Sequence, residues 1–159
     1  AVLAGSQKQQ PEQEHLNGGT FYDYYTTLDG RYLSIGSLEP QFMTGLASTL
    51  ELPILMQKGT SFDAEDRQAV KDAIRQKIKT KTWAEWKTIF SSLDVCVEPV
   101  MHLDEALNSD LAQQRGWVVD VPLKPNSTET ERQLACPIKF SRSQASYQYI
   151  GQELGEGQW

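Results

Sequence analysis

Histidine and cysteine are scarce in this chain of 159 residues: His15 and His102, Cys96 and Cys136 are all there is. No two of the four share a metal-ligand spacing, so no metal site is expected. Nothing marks the chain as secreted, so the thiols are expected free, in or near strands, rather than joined. Long apolar runs are also missing. None approaches the roughly 20 residues of a membrane-crossing helix, so no membrane partner is expected. The opening AVLAGSQKQQ lacks the basic stretch and apolar core of a signal peptide, and a cytoplasmic location is expected. Basic charge is short, with 15 Lys and Arg against 21 Asp and Glu and a net charge of -6. That excludes nucleic acid as a default partner, because phosphate binding needs a basic surface. No phosphate-binding glycine loop, G-x-S-x-G elbow, H-E-x-x-H pair or dinucleotide fingerprint occurs.

What is present is an ordinary globular composition, 39% hydrophobic and 23% charged, long enough for one domain with a real core. The first six residues read as the tail of a helix. SQKQQPEQEHLNGG reads as a polar linker. TFYDYYTTLDGRYLSIGS reads as a hairpin, with aromatic and β-branched runs flanking a type I′ Asp29-Gly30 turn. From Pro40, PQFMTGLASTL has helical spacing, with Pro40 in the first turn, where its missing N–H costs nothing. SFDAEDRQAVKDAIRQKIKT is an amphipathic helix with Phe62, Ala69, Val70, Ala73, Ile74 and Ile78 on its apolar face. In TWAEWKTIFSSLD, Thr82 and Glu85 fit a capping box. Trp83, Trp86, Ile89, Phe90 and Leu93 are expected to be buried there.

VCVEPVM reads as a strand. HLDEALNSDLAQQRG gives two short helical pieces closed by Gly116 as a C-cap. WVVDVPL is a strand, PNSTETERQ a polar turn and LACPIKF a further strand; the tail is irregular. The order β-β-α-α-α-β-α-β-β favours an α+β fold, with a mainly antiparallel sheet and flanking helices.

Few residues invite chemistry. His15 sits in the polar linker, where solvation explains it. His102 stands between a strand and a helix, where it caps. Glu39, in IGSLEPQF, has two readings. It is a carboxylate favoured by the dipole of the helix that follows, or it orients a histidine from elsewhere by fixing its tautomer and stabilising its cation.

The run LNGGTFYDYYTTLDGRYLSIGSLEPQF resembles the family III CoA-transferases, in particular their alpha-methylacyl-CoA racemase branch. Leu16, Gly18, Gly19, Tyr22, Tyr25, Thr27, Asp29, Gly30, Tyr32, Gly36, Glu39, Pro40, Gln41 and Phe42 fit that branch's pattern. Further on, Trp86, Phe90, Asp94, Cys96, Val97, Pro99, Val100 and Glu105 fit a second segment, with Val95 where alanine is usual. The resemblance implies a small α+β domain over 16–140. A linker over 1–15 would lead in from a large CoA-binding domain, and a tail over 141–159 would return towards it. It implies a homodimer of interlocked subunits acting on an acyl-CoA, with coenzyme A entering as part of the substrate and no covalently bound cofactor.

The reaction implied is inversion at the carbon next to the thioester. A histidine and an aspartate of the large domain would move the proton, and Glu39 would orient the histidine. On that reading the isolated chain is inactive. Tyr22, Tyr25 and Phe42 either line an acyl-binding surface or pack the hairpin and helix. Cys96 is expected as an interior strand thiol that packs as a small hydrophobe. Two alternatives stand beside the racemase: a CoA-transferase working through acyl-aspartyl intermediates, and a non-catalytic binding or assembly module.

Overall fold

The computed structural model describes residues 15, 16 and 18–151. The expected helix tail, most of the linker and the last part of the tail lie outside the described residues. The chain divides into two units, Ala1–Val100 and Met101–Trp159.

In the first unit, strands β1 (Asp23–Thr26) and β2 (Tyr32–Ile35) pair antiparallel, Tyr25 opposite Leu33 and Asp23 opposite Ile35. Strand β3 (Val97–Pro99) pairs antiparallel with the other edge of β2, Val97 opposite Ile35. The side-chain period of two turns Tyr25, Leu33, Ile35 and Val97 inward and leaves Tyr24, Tyr32 and Glu98 exposed.

The hairpin turn differs from the expected type I′. Thr27 N–H donates to the Arg31 carbonyl at 2.8 Å and Gly30 N–H to the Thr27 carbonyl at 3.1 Å. Gly30 has φ 78°, whereas Asp29 is not left-handed. The connection is therefore a three-residue loop, a type I turn followed by a left-handed glycine. Asp29 is committed elsewhere: its carboxylate accepts from the Thr27 hydroxyl at 2.5 Å and from the backbone N–H of Trp83 at 3.0 Å. These hydrogen bonds, the Thr27 one foremost, hold its pKa below the ordinary carboxylate value.

Four helices follow β2: α1 (Pro40–Leu50), α2 (Ile54–Lys58), α3 (Ala64–Ile78) and α4 (Trp83–Phe90). Asp63 caps α3, its carboxylate accepting from Glu65 N–H at 2.9 Å and Asp66 N–H at 3.1 Å. The Thr82–Glu85 capping box forms as expected. Met43, Leu46 and Leu50 of α1, Val70, Ile74 and Ile78 of α3, and Trp83, Trp86 and Phe90 of α4 close over the sheet in one core. Each fully buried aliphatic side chain contributes about 1.5–3 kcal/mol.

Three expected core residues lie outside it. Phe62 is 89% exposed because it precedes the cap at Asp63, and Leu93 is 42% exposed because α4 has already ended at Phe90. Ala69 is on the solvent side of α3. Helical spacing constrains only residues inside the helix, which accounts for Phe62 and Leu93; Ala69 is inside α3 but lies to the side of its buried stripe of Val70, Ile74 and Ile78. Cys96 also differs from the expected interior strand thiol. It is exposed, precedes β3 and has a left-handed φ of 49°.

The Gly18-Gly19 pair, part of the first sequence motif, is held by α3. The Lys71 ammonium donates to the Gly18 carbonyl at 2.5 Å and the Arg67 guanidinium to the Gly19 carbonyl at 3.1 Å. Lys71 also pairs with Asp23 of β1 at 2.7 Å. Two cations one turn apart on α3 thus fix the chain entering the hairpin.

In the second unit, helices α5 (Leu103–Leu107) and α6 (Asp110–Arg115) lead to strands β4 (Val118–Pro122) and β5 (Thr130–Leu134). Gly116 closes α6 in the left-handed conformation, as expected. Strands β4 and β5 pair antiparallel, Val121 opposite Glu131. The expected last strand over LACPIKF is displaced: pairing falls on Thr130–Leu134, of which all but Leu134 belong to the stretch read as a polar turn. No residue of β5 is buried, so no apolar alternation marked it. Residues 141–151 contain no helix or strand.

Candidate functional site

The corner between β2 and α1 is built from four successive residues with different tasks. Ile35 is buried and ends β2. Gly36 N–H donates to the Cys96 carbonyl at 2.9 Å, carrying the pairing with the β3 side one step further. A Cβ on Gly36 would stand 3.1 Å from Cε2 of Tyr22, so the Tyr22 ring covers this glycine. Ser37 is fully buried and its hydroxyl donates to the Val95 carbonyl. Leu38 packs against the core from its edge.

Glu39 then stands at the N-cap of α1 in extended conformation, φ -67° and ψ 141°. Pro40 starts the helix, and Met43 N–H reaches the Glu39 carbonyl at 2.9 Å. The backbone of Glu39 therefore does the work of a cap, but its side chain makes no cap hydrogen bond. Asp, Asn, Ser and Thr are the residues that cap well, since a short side chain folds back onto the first amides. The Glu39 side chain is exposed, with its carboxylate uncommitted to its own helix.

Cys96 lies on the other side of the corner. Partial desolvation, then the Glu39, Asp94 and Glu98 carboxylates, push its thiol pKa up. The thiol is therefore protonated at neutral pH, which is the wrong state for a nucleophile.

The remaining candidates are dispersed. Tyr22 and Phe42 are half-buried, on the two sides of the corner. Tyr25 is 1% exposed, its hydroxyl donates to the Phe21 carbonyl at 2.8 Å, and burial pushes its pKa far up. Its place is in the core, and it has no surface to offer an acyl chain. His15 is exposed. His102 heads α5, where the Glu105 carboxylate accepts from its backbone N–H at 2.9 Å. No group of three His, Cys, Asp or Glu among the described residues is placed to hold a metal ion. No helix among them is long and apolar enough to cross a membrane. In the second unit a cleft of about 400 Å³ is lined by Trp117, Leu134, Cys136, Pro137 and Lys139 among others, with Cys136 and Lys139 as its titratable side chains and no histidine or carboxylate among them.

The part of the corner invisible to sequence reasoning is the Ser37–Val95 contact. Its partners are 58 residues apart, and Ser37 carries no motif of its own.

Residues 1–156 match the family described as CoA-transferase family III. Over 117 residues the chain is 36% identical to the alpha-methylacyl-CoA racemase of Mus musculus, covering 70% of this chain and 29% of that protein. Over 110 residues it is 36% identical to the alpha-methylacyl-CoA racemase of Homo sapiens, covering 65% and 27%. The chain thus spans under a third of the length of the curated relatives it matches. Among solved structures, a point mutant of Rv3272 from Mycobacterium tuberculosis superposes with a TM-score of 0.66 at 16% identity, covering 85% of this chain and 37% of that one. The orthorhombic form of Rv3272 gives 0.66 at 12% identity, covering 92% and 39%. At such identities the likeness is one of fold.

Proposed function

The chain belongs to CoA-transferase family III, and on that premise we propose that it is the part of an acyl-CoA racemase that sets a carboxylate, Glu39, against a catalytic histidine. The histidine belongs to the remainder of the enzyme. One observation carries this reading: Glu39 occupies a cap position with its carboxylate exposed and unused by its own helix. The 36% identity to two alpha-methylacyl-CoA racemases supports the choice of reaction.

The chemistry asks for such a residue. A thioester acidifies the proton on the neighbouring carbon, because the enolate spreads charge onto oxygen. Inversion takes the proton from one face and returns one to the other. This needs an acid/base group on each face, both with pKa values near the working pH. A histidine suits one face only if its tautomer is fixed and its cation is stabilised when the proton arrives. A carboxylate hydrogen-bonded to the far ring nitrogen does both. Among the described residues His15 and His102 are the only histidines, and neither belongs to the segments that build the corner. His15 lies in the stretch read as a polar linker and His102 belongs to the second unit.

Coenzyme A enters as part of the acyl-CoA substrate, with no covalently bound cofactor. Tyr22 and Phe42 are the side chains of the corner available to an acyl chain. The whole enzyme is a homodimer with interlocked subunits, and the location is cytoplasmic. Unit 2 supports the need for a larger body. Leu103, Leu134, Ile138 and Phe140 are each more than 60% exposed there, more apolar surface than a two-stranded sheet stabilises alone.

The isolated chain of 159 residues is then inactive. Incubated in heavy water with a 2-methylacyl-CoA, it is expected to incorporate no α-deuterium above the enzyme-free rate. Incorporation above that rate would show that the chain carries its own acid/base pair. The family description favours one rival, transfer of CoA between carboxylic acids. It predicts CoA exchange with an added acid, without α-proton exchange, in the full-length protein.

A further inference from the structure

We propose that Ser37 is a positioning residue for Glu39, acting through a clasp on the Val95 carbonyl. This rests on the reading of Glu39 given above and deepens it. The geometry has three parts. Ser37 is 0% exposed, and its hydroxyl donates to the Val95 carbonyl two residues before Glu39. Next to it, Gly36 N–H donates to the Cys96 carbonyl at 2.9 Å. From the helix side, Gly45 of α1 lets Val95 come so close that an added Cβ would stand 2.7 Å from Val95 Cγ1. Val95, itself 4% exposed, is thus gripped by the exit of β2 and by α1 together.

Glu39 lies between those two grips and has no side-chain hydrogen bond to its own helix end to hold it. Its carboxylate sits at the end of three rotatable bonds. A carboxylate that must meet a ring nitrogen on another part of the enzyme gains most from a fixed Cα. A misplacement of about 1 Å is enough to cost on the order of a hundredfold in rate. The left-handed Cys96 (φ 49°) is part of the same device. It turns the chain so that the Val95 and Cys96 carbonyls both face the corner.

The test is a double-mutant cycle in the full-length protein that carries this chain, read by α-proton exchange of a 2-methylacyl-CoA. Ser37→Ala alone is expected to lower kcat about ten- to a hundredfold, with KM within about twofold of the parent. In a Glu39→Gln background the same change is expected to cost less than about twofold, because there is no longer a carboxylate to position. Gly45→Ala, whose added Cβ presses on the Val95 side chain from the helix side, is expected to shift Val95 and repeat the pattern without touching Ser37. It keeps the question open to measurement if Ser37→Ala does not fold. Equal losses in both backgrounds, or no loss in the parent, would overturn the proposal. If Glu39→Gln itself leaves kcat unchanged, the reading of Glu39 falls, and the positioning role falls with it. That result is separable from failure of the clasp alone.

Discussion

Glu39→Gln in the full-length protein that carries this chain is expected to lower kcat for α-proton exchange by about 10²- to 10⁴-fold, with KM nearly unchanged. The amide keeps the size and polarity of the side chain, so packing at the corner is preserved. It removes the charge that stabilises an imidazolium, and it lets the wrong nitrogen of the ring carry the proton. An interaction felt only as the proton moves lowers kcat and kcat/KM equally, while one felt by bound substrate raises KM. The fold should hardly notice, since Glu39 is exposed and makes no cap hydrogen bond. An unfolding midpoint close to that of the parent would therefore accompany the rate loss. A large fall in the midpoint would instead assign Glu39 to the helix start.

The largest effect on stability is expected at Trp86. Its ring is 1% exposed, stacks on Phe90 with centroids 5.5 Å apart, and its indole N–H donates to the Ile78 carbonyl at 2.8 Å. Ile78 is the last residue of α3, so this hydrogen bond satisfies a helix-end carbonyl and ties α3 to α4. Trp86→Ala removes the ring, leaves a cavity and leaves that carbonyl with only the longer hydrogen bond from Lys81 N–H at 3.5 Å, at a cost of about 3–5 kcal/mol. Against a total stability of about 5–15 kcal/mol, that leaves a folded state close to its limit. Trp86→Phe keeps most of the buried surface and loses the hydrogen bond, so it is expected to cost about 1–3 kcal/mol. Urea unfolding of both variants measures the difference. Similar costs for the two would mean that the hydrogen bond, and not the ring, is what α4 needs.

Legibility in the sequence followed how local each cause is. The helices α1, α3 and α4 were readable because their apolar residues recur on one face and their ends carry Pro40, Asp63 and the Thr82–Glu85 pair. Helix α2, five residues after Pro53, is too short to show a period. Strand β5 was unreadable because pairing with β4 fixes it while both its faces stay polar or exposed. The Asp29-Gly30 pair announced a turn but not its type, since Asp29 is drawn instead to Thr27 and to the first amide of α4. Phe62 and Leu93 were misplaced for one reason: each lies just beyond a helix end, where the chain leaves the helical repeat.

The site divides the same way. Glu39 carries two readings from the residues alone, the resemblance of its motif to a family pattern favours the second, and the physical oddity of a glutamate at a cap position agrees with that choice. Tyr25 shares the motif yet belongs to the core, because alternation along β1 turns it inward. Cys96 reads as a strand thiol until its φ of 49° is known, and nothing local demands that angle. The Ser37–Val95 clasp is wholly tertiary.

The most direct test of the central claim is the pH dependence of kcat/KM for α-proton exchange, compared between the full-length protein and its Glu39→Gln variant. A carboxylate beside an imidazolium favours the charged form and raises the histidine pKa. If Glu39 has that partner, removing its charge moves the histidine limb of the profile to lower pH by about one unit or more. A limb that stays where it was would mean that Glu39 faces no histidine, and the account of the corner would be wrong.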